Sequence, residues 1–237
     1  MAPLLSVRNL STGYGKKQVL FDVSLDVMPG ELLLITGGNG SGKSTLLKAI
    51  YGLLPPWNSD AEITFRPDPE GQPISTRQPT LNLKNGLAYL PQRNAVFDDL
   101  AVEDNLHLAG HTLRDANEFA TRRIAVLELL PTIQSLLRRK PETMSGGERQ
   151  ITALAMVLLH QPKLLMLDES LSGLDSDNAG LILSLLKTLH VRSGLALLLV
   201  EHRQTAMQGF ASTEFHMRLG RLAARIIVDP VQELSSL

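Results

Sequence analysis

Lys43 and Ser44 close the run Gly37-Gly38-Asn39-Gly40-Ser41-Gly42-Lys43-Ser44-Thr45, whose spacing is G-x-x-x-x-G-K-[ST]. Glycines without a Cβ let a backbone curl around an anion and turn successive N–H groups inward. In this spacing the lysine reaches the β- and γ-phosphates of a nucleotide, and the hydroxyl coordinates the Mg²⁺ that bridges them. The plain alternative is a glycine-rich turn with a lysine nearby. Context favours the phosphate: the apolar stretch Leu32-Leu33-Leu34-Ile35-Thr36 leads in and a helical pattern over 46–51 leads out, so the positive end of a helix dipole faces the loop.

Water attacking a γ-phosphoryl group needs little covalent help, so positioning and charge neutralisation dominate. The chain has the residue types for both. Asp168 ends one apolar run and can hold Mg²⁺ directly or through water, together with Ser44. Glu169 can orient or deprotonate the nucleophilic water. His202 can donate a hydrogen bond to the γ-phosphate, and Gln92 can contact the metal or the water. Each also has an ordinary reading: an Asp-Glu pair after a strand starts many helices, and a single histidine or glutamine often has no chemical role.

The elements that must position these groups are visible as continuous apolar runs: 32–36 before Gly37, 87–90 before Gln92, 164–167 before Asp168, and 195–200 before Glu201 and His202. Continuous apolarity marks strands of a parallel sheet buried on both faces, and ligands sit beyond the carboxyl ends of such strands. The stretches 4–10, 18–27 and 61–65 partly alternate and are separated by Gly13, Gly15 and Pro29-Gly30, which predicts an antiparallel flank. Residues 67–79, rich in proline, read as a loop, and 102–137 turn mostly helical between two strands, as an inserted lobe does.

A chain of 237 residues with 43% apolar side chains can bury a sizeable core as one domain. Its 23 basic and 24 acidic residues give a net charge of −1, which supplies no global field for nucleic acid, so no nucleic-acid partner is expected. The absence of cysteine excludes disulfides, thiolate zinc sites and a cysteine nucleophile. No apolar run approaches the ~18 residues of a membrane span, and the N-terminus lacks a signal-peptide core. The chain is therefore expected in the cytoplasm, with any membrane role arising through a partner. His107 and His111 lie four apart and share a helix face, but no third ligand accompanies them.

Met144-Ser145-Gly146-Gly147-Glu148-Arg149-Gln150 precedes a helical pattern that carries Ile151, Leu154, Ala155, Leu158 and Leu159. Ser145 and Glu148 have the spacing of a capping box. Two glycines in a first turn cost up to about 1 kcal/mol each against alanine, so something must approach this backbone closely. This segment resembles the signature sequence of the ATP-binding cassette (ABC) family, and the neighbouring motifs follow that family's order over nearly the whole chain. Tyr14, with Val19, resembles the aromatic loop that stacks on adenine, and Gln92 the glutamine between the core and the helical lobe. Asp168 and Glu169 resemble the Walker B aspartate and catalytic carboxylate, Ser172-Gly173-Leu174-Asp175 the D-loop, and His202 the switch histidine.

The resemblance implies an α/β fold: a P-loop NTPase core with a mostly parallel sheet (1–92 and 160–237), an antiparallel β flank and an inserted helical lobe (93–159). It implies ATP and Mg²⁺ as ligands, with Lys43, Gln92, Glu169 and His202 catalytic, and Ser44, Gln92 and Asp168 at the metal. It also implies head-to-tail pairs of cassettes, in which Ser145, Gly146, Gly147 and Asp175 of one copy meet the nucleotide on its partner. The function implied is the ATP-hydrolysing subunit of a membrane transporter, held at the inner face of the membrane by membrane-spanning subunits that dock near Phe97, Asp98 and Leu100. A non-transport ABC ATPase, such as a cluster-assembly type, is the alternative. Gly13-Tyr14-Gly15 and Gly52-Leu53-Leu54-Pro55 resemble most the cassettes of branched-chain amino-acid uptake systems. Ser170 stands where proline is common in the family, Met156 where arginine is frequent and Met144 where leucine is usual; none removes a catalytic atom. No fused regulatory module is expected after Leu222.

Overall fold

The computed structural model describes residues 1–93, 95–202 and 210–223, together with the backbone of Ile226–Ile227. The chain begins with two long antiparallel strands, β1 (Leu5–Tyr14) and β2 (Lys17–Val27), followed by β3 (Leu32–Thr36) and α1 (Lys43–Ile50). Strands β4 (Glu62–Phe65) and β5 (Ile74–Ser75), helix α2 (Pro79–Lys84) and strand β6 (Leu87–Leu90) come next. Helices α3 (Val102–Gly110), α4 (Ala116–Leu129), α5 (Pro131–Leu136) and α6 (Gly146–Leu158) then run without an intervening strand. The chain returns through β7 (Leu164–Asp168), α7 (Ser176–Ser193), β8 (Ala196–Glu201), β9 (Thr213–Arg218), β10 (Arg221–Leu222) and β11 (Ile226–Ile227).

Two sheets form. One is antiparallel, in the order β2-β1-β4-β5, and the other runs β10-β9-β3-β8-β7-β6 with β11 paired to β9. Within the second, β6, β7, β8, β3 and β9 are mutually parallel, so the residues after Thr36, Leu90, Asp168 and Glu201 all leave the same edge.

Period-two alternation divides the apolar strands between two cores. Leu34, Leu165, Leu167, Leu197 and Leu199 face a cluster built with Leu106 of α3, Leu154 of α6 and Leu186 of α7. Leu33, Ile35, Met166, Leu198 and Val200 face the other way, against Leu46 and Leu47 of α1 and Leu5 and Phe65 of the antiparallel sheet. Unbroken apolarity is thus the consequence of cover on both faces.

The structure refines three expectations. Helix α1 starts at Lys43, three residues before the apolar pattern begins, because Gly42 serves as its N-cap. The stretch 67–79 contains the short strand β5, which pairs with Thr64 and Phe65, and its last residue starts α2. Strand β9, with polar residues interleaved, escapes a search for continuous apolar runs, yet it is parallel to β3. The expectation about the stretch beyond Leu222 falls mostly on residues outside those described.

Leu198 is fully buried in the middle of β8. Leu198→Ala is expected to destabilise the fold by about 2–5 kcal/mol through lost transfer energy and a residual cavity, as read by denaturant unfolding.

Candidate functional site

Between β3 and α1 the chain wraps around its own lysine. Lys43 is 3% exposed, and its Nζ donates to the carbonyls of Gly37 (2.8 Å) and Gly38 (3.3 Å). Gly42 has a φ of 113°, a conformation that side chains disfavour, and a Cβ there would lie 2.9 Å from Leu20 Cδ2. The Gly220 N–H donates to the Ser41 carbonyl at 2.8 Å, tying the loop to the turn between β9 and β10. A charged ammonium in so dry a place needs a counter-charge. Glu169 supplies it, with Oε1 3.1 Å from Nζ.

Glu169 also accepts from Gln92 Nε2 at 2.8 Å through its other oxygen, and its N–H donates to Val200 O at 2.9 Å. Its φ of 46° is left-handed, a cost of about 1–3 kcal/mol for a residue with a side chain, which surrounding contacts must hold in place. Next to it, the Ser44 hydroxyl donates to Asp168 Oδ1 at 2.7 Å, and the Tyr89 hydroxyl donates to Oδ2 at 2.9 Å. Burial, reinforced by the Asp168 carboxylate, holds the Tyr89 phenol far above its usual range, so it stays a neutral donor.

These residues open onto a cleft of about 1540 Å³, lined on one side by 39–45 and on the other by Gln92, Glu169, 171–174, Glu201 and His202. Val19 lines it as well. Tyr14, at the end of β1, is 46% exposed and is not among the lining residues.

Ser145 lies apart from the cleft. Its Oγ accepts from the Glu148 N–H (3.2 Å) while Glu148 Oε2 accepts from the Ser145 N–H (2.8 Å), so the capping box is formed. These bonds, first that from the Ser145 backbone and then the nearby Arg139, hold the Glu148 carboxyl below its usual range. The close approach that the glycines demand comes from within the chain: a Cβ on Gly147 would sit 2.4 Å from Asn178 Oδ1, and one on Gly146 3.2 Å from Leu174 Cδ2. Asp175 caps α7, accepting from the Asn178 N–H at 2.9 Å and from Asn178 Nδ2 at 2.7 Å. One molecule therefore brings Lys43, Ser44, Gln92, Asp168, Glu169 and His202 together, whereas 145–147 do not line the cleft, and Gly146 and Gly147 pack against Leu174 and Asn178 at its margin.

Two residues of the site were assigned no chemistry from sequence. Tyr89 was hidden inside an apolar run. Glu201, the one charged residue in β8, is 7% exposed, and its Oε1 accepts from the Leu171 N–H at 3.1 Å. Burial first, and then the Glu169 charge, raise its carboxyl to about 7 against the opposing pull of the Leu171 N–H. The available signal was a carboxylate ending a strand that is otherwise wholly apolar.

The donor set at Ser44, Asp168 and Gln92 is all hard oxygen and fits Mg²⁺. Among the described residues there is no cluster of three His, Cys, Asp or Glu side chains of the kind that binds a transition metal, and the His107 ring stacks on Phe119 at 4.6 Å.

A glycine loop with a buried lysine at the edge of a parallel sheet, and acidic residues on the neighbouring strands, define a P-loop nucleoside-triphosphatase. Comparison narrows the class. Residues 20–172 match the family model described as ABC transporter. The chain is 35% identical over 220 residues to a probable branched-chain amino acid transport ATP-binding protein, LivF, of Archaeoglobus fulgidus, covering 93% of this chain and 90% of that one. It is 33% identical over 219 residues to the high-affinity branched-chain amino acid transport ATP-binding protein BraG of Pseudomonas aeruginosa, covering 92% and 91%. In fold it is similar to cbiO1 of Clostridium perfringens, part of the ABC transporter complex cbiONQ, with a TM-score of 0.81, 26% identity, and coverage of 95% and 88%. The chain belongs to the ABC transporter family and is an ATP-binding, ATP-hydrolysing subunit of that family.

Two outcomes are expected. Gly42→Ala forces a side chain into a backbone region that excludes it, and should destabilise the fold by about 1–3 kcal/mol in thermal unfolding while weakening nucleotide binding in calorimetry. Because Glu201 binds its proton more tightly folded than unfolded, its contribution to stability falls as pH rises from 4.5 to about 7. Glu201→Gln should lack this slope, so its unfolding free energy relative to the native chain should increase between pH 5 and pH 8.

Proposed function

We propose that the cleft binds ATP with Mg²⁺ and hydrolyses it to power a membrane transporter, through pairing with a second cassette. The observation that carries this reading is the single network in which Lys43, Glu169 and Gln92 meet beside the Ser44–Asp168 pair.

Gly37, Gly38, Asn39, Gly40, Ser41, Gly42 and Thr45 wrap the phosphates with backbone N–H groups, and Val19, which lines the cleft, is assigned to the base together with Tyr14, which does not line it. The γ-phosphate takes over Lys43, displacing Glu169 from Nζ. Ser44, Asp168 and Gln92 would hold the cation, which would supply charge neutralisation for the phosphates. Glu169, released from the lysine, orients the water and accepts its proton as the water oxygen bonds to γ-phosphorus and the bond to the ADP oxygen breaks. His202 donates to the γ-phosphate oxygen.

Ser145 and Gly146 are exposed, Gly147 is buried beside them, and none of the three lines the chain's own cleft, which supports a partner role for this helix start, with Asp175 at the same contact. Nucleotide then acts as the adhesive between two copies, and hydrolysis releases it. No described helix is long and apolar enough to cross a membrane, so the membrane path belongs to other subunits. Phe97, 53% exposed, stands on a turn pinned by Asn105, whose amide bonds the backbone of Phe97, Leu100 and Ala101. We place the docking of membrane subunits there, at the inner face of the cell membrane. Full-length similarity to two branched-chain amino acid transport proteins supports that class of cargo.

Glu169→Gln is expected to lower kcat at least ~100-fold while leaving ATP bound. On size-exclusion chromatography with ATP and Mg²⁺ the variant should elute as a dimer; a variant that stays monomeric overturns the pairing mechanism. Purification from membranes should bring a multi-span protein with the chain, and isolation only as a water-soluble assembly would favour a non-transport ATPase.

A further inference from the structure

We infer that Glu201 is a positioning residue, whose side chain fastens the turn after Glu169 to the end of the strand that delivers His202. This rests on the reading of the cleft as an ATPase site.

The turn over 169–174 is attached to β8 at two points. Its first residue donates backbone to backbone, Glu169 N–H to Val200 O at 2.9 Å. Two residues on, the Leu171 N–H donates to Glu201 Oε1 at 3.1 Å. Beyond these anchors the turn closes back on them through Ser172 N–H to Glu169 O (3.1 Å) and Leu174 N–H to Leu171 O (3.3 Å). Ser170, between the anchors, is 6% exposed, and its Oγ has no partner among the described residues. Among the described residues, the side-chain bond of Glu201 is therefore the second of two hydrogen-bonded ties between this turn and β8, and it helps to hold the left-handed Glu169 backbone in register.

The chemistry of Glu201 is costly for a merely structural role. It is buried, forms no ion pair within 4 Å among the described residues, and faces the like charge of Glu169, with Lys43 the nearby opposing charge. An apolar side chain of similar size would avoid that cost. What an apolar side chain lacks is the acceptor for the Leu171 N–H. That acceptor lets β8 carry the water-orienting carboxylate and the γ-phosphate donor as one unit, so that both reach the nucleotide in the same geometry. A misplacement of about 1 Å at such a site can cost on the order of 100-fold in rate.

The test is steady-state ATPase kinetics on the full chain with Glu201→Ala, Glu201→Leu and Glu201→Gln, alongside thermal unfolding and Glu169→Gln. Alanine and leucine remove the acceptor and should each lower kcat about tenfold, with KM for ATP within about twofold of the native value. Leucine should do so without lowering the unfolding temperature. Glutamine keeps an acceptor oxygen and should hold kcat within about twofold. A leucine variant with native kcat overturns the inference, as does a glutamine variant as slow as alanine or a loss confined to KM. If Glu169→Gln is inactive while all three Glu201 variants turn over normally, this inference alone fails; if Glu169→Gln is fully active, the reading of the cleft fails first.

Discussion

A buried ammonium is the constraint around which this molecule is arranged. Lys43 is almost wholly removed from water, and an ion in that position is costly unless it is met by charge and by oriented dipoles. Two loop carbonyls and the Glu169 carboxylate meet it here. Because Glu169 follows β7 and Lys43 follows β3, with β8 between them, this ion pair is closed only when the three strands are in parallel register. The sheet order is thus read out directly in the chemistry. In the function proposed above, an incoming phosphate would offer the lysine a better counter-charge and so free the carboxylate that the proposed reaction requires.

The same coupling explains why strain is stored at Glu169. A left-handed non-glycine residue survives only where neighbouring contacts outweigh its cost. Those contacts come from β8 through Val200 and Glu201, from the lobe-side strand through Gln92, and from the loop through Lys43. No single element of local sequence would choose this backbone. It is a property of the assembled sheet edge.

That distinction accounts for what was legible in the sequence. The cradle over 37–45 was readable because its backbone demand leaves almost no freedom of residue type: Gly42 at a φ of 113° and a lysine just inside the helix are both dictated locally. The four apolar runs were readable because cover on both faces erases alternation. Strand β9 was not, since its inward residues Thr213, Phe215 and Met217 alternate with Glu214, His216 and Arg218, so no continuous apolar run marks it as a strand of the parallel sheet. Tyr89 and Glu201 were missed as chemistry because their importance lies in partners far away in the chain, Asp168 and Leu171. The glycines at 146 and 147 announced a close contact correctly but not its source. Asn178 and Leu174 of the same molecule fill the space, a tertiary fact with no local trace.

The position of those glycines has a further consequence. Asn178 is held by Asp175, the cap of α7, and Leu174 precedes that cap directly, so the backbone around 145–147 is fitted against the turn that starts at Glu169. The surface proposed to meet a second copy is therefore not independent of the chain's own site: it shares with that site the segment 169–175, anchored at one end by the ion-paired carboxylate and at the other by an N-cap. Were phosphate to take its lysine, as proposed, any shift of Glu169 would be absorbed along six residues that already carry two side-chain hydrogen-bonding anchors, at Leu171 and at Asp175. Packed segments of this kind move as bodies rather than deform continuously. In the proposed function, occupancy of one nucleotide cleft and presentation of the capped helix to a partner would in this way be joined mechanically by a short, doubly tethered turn.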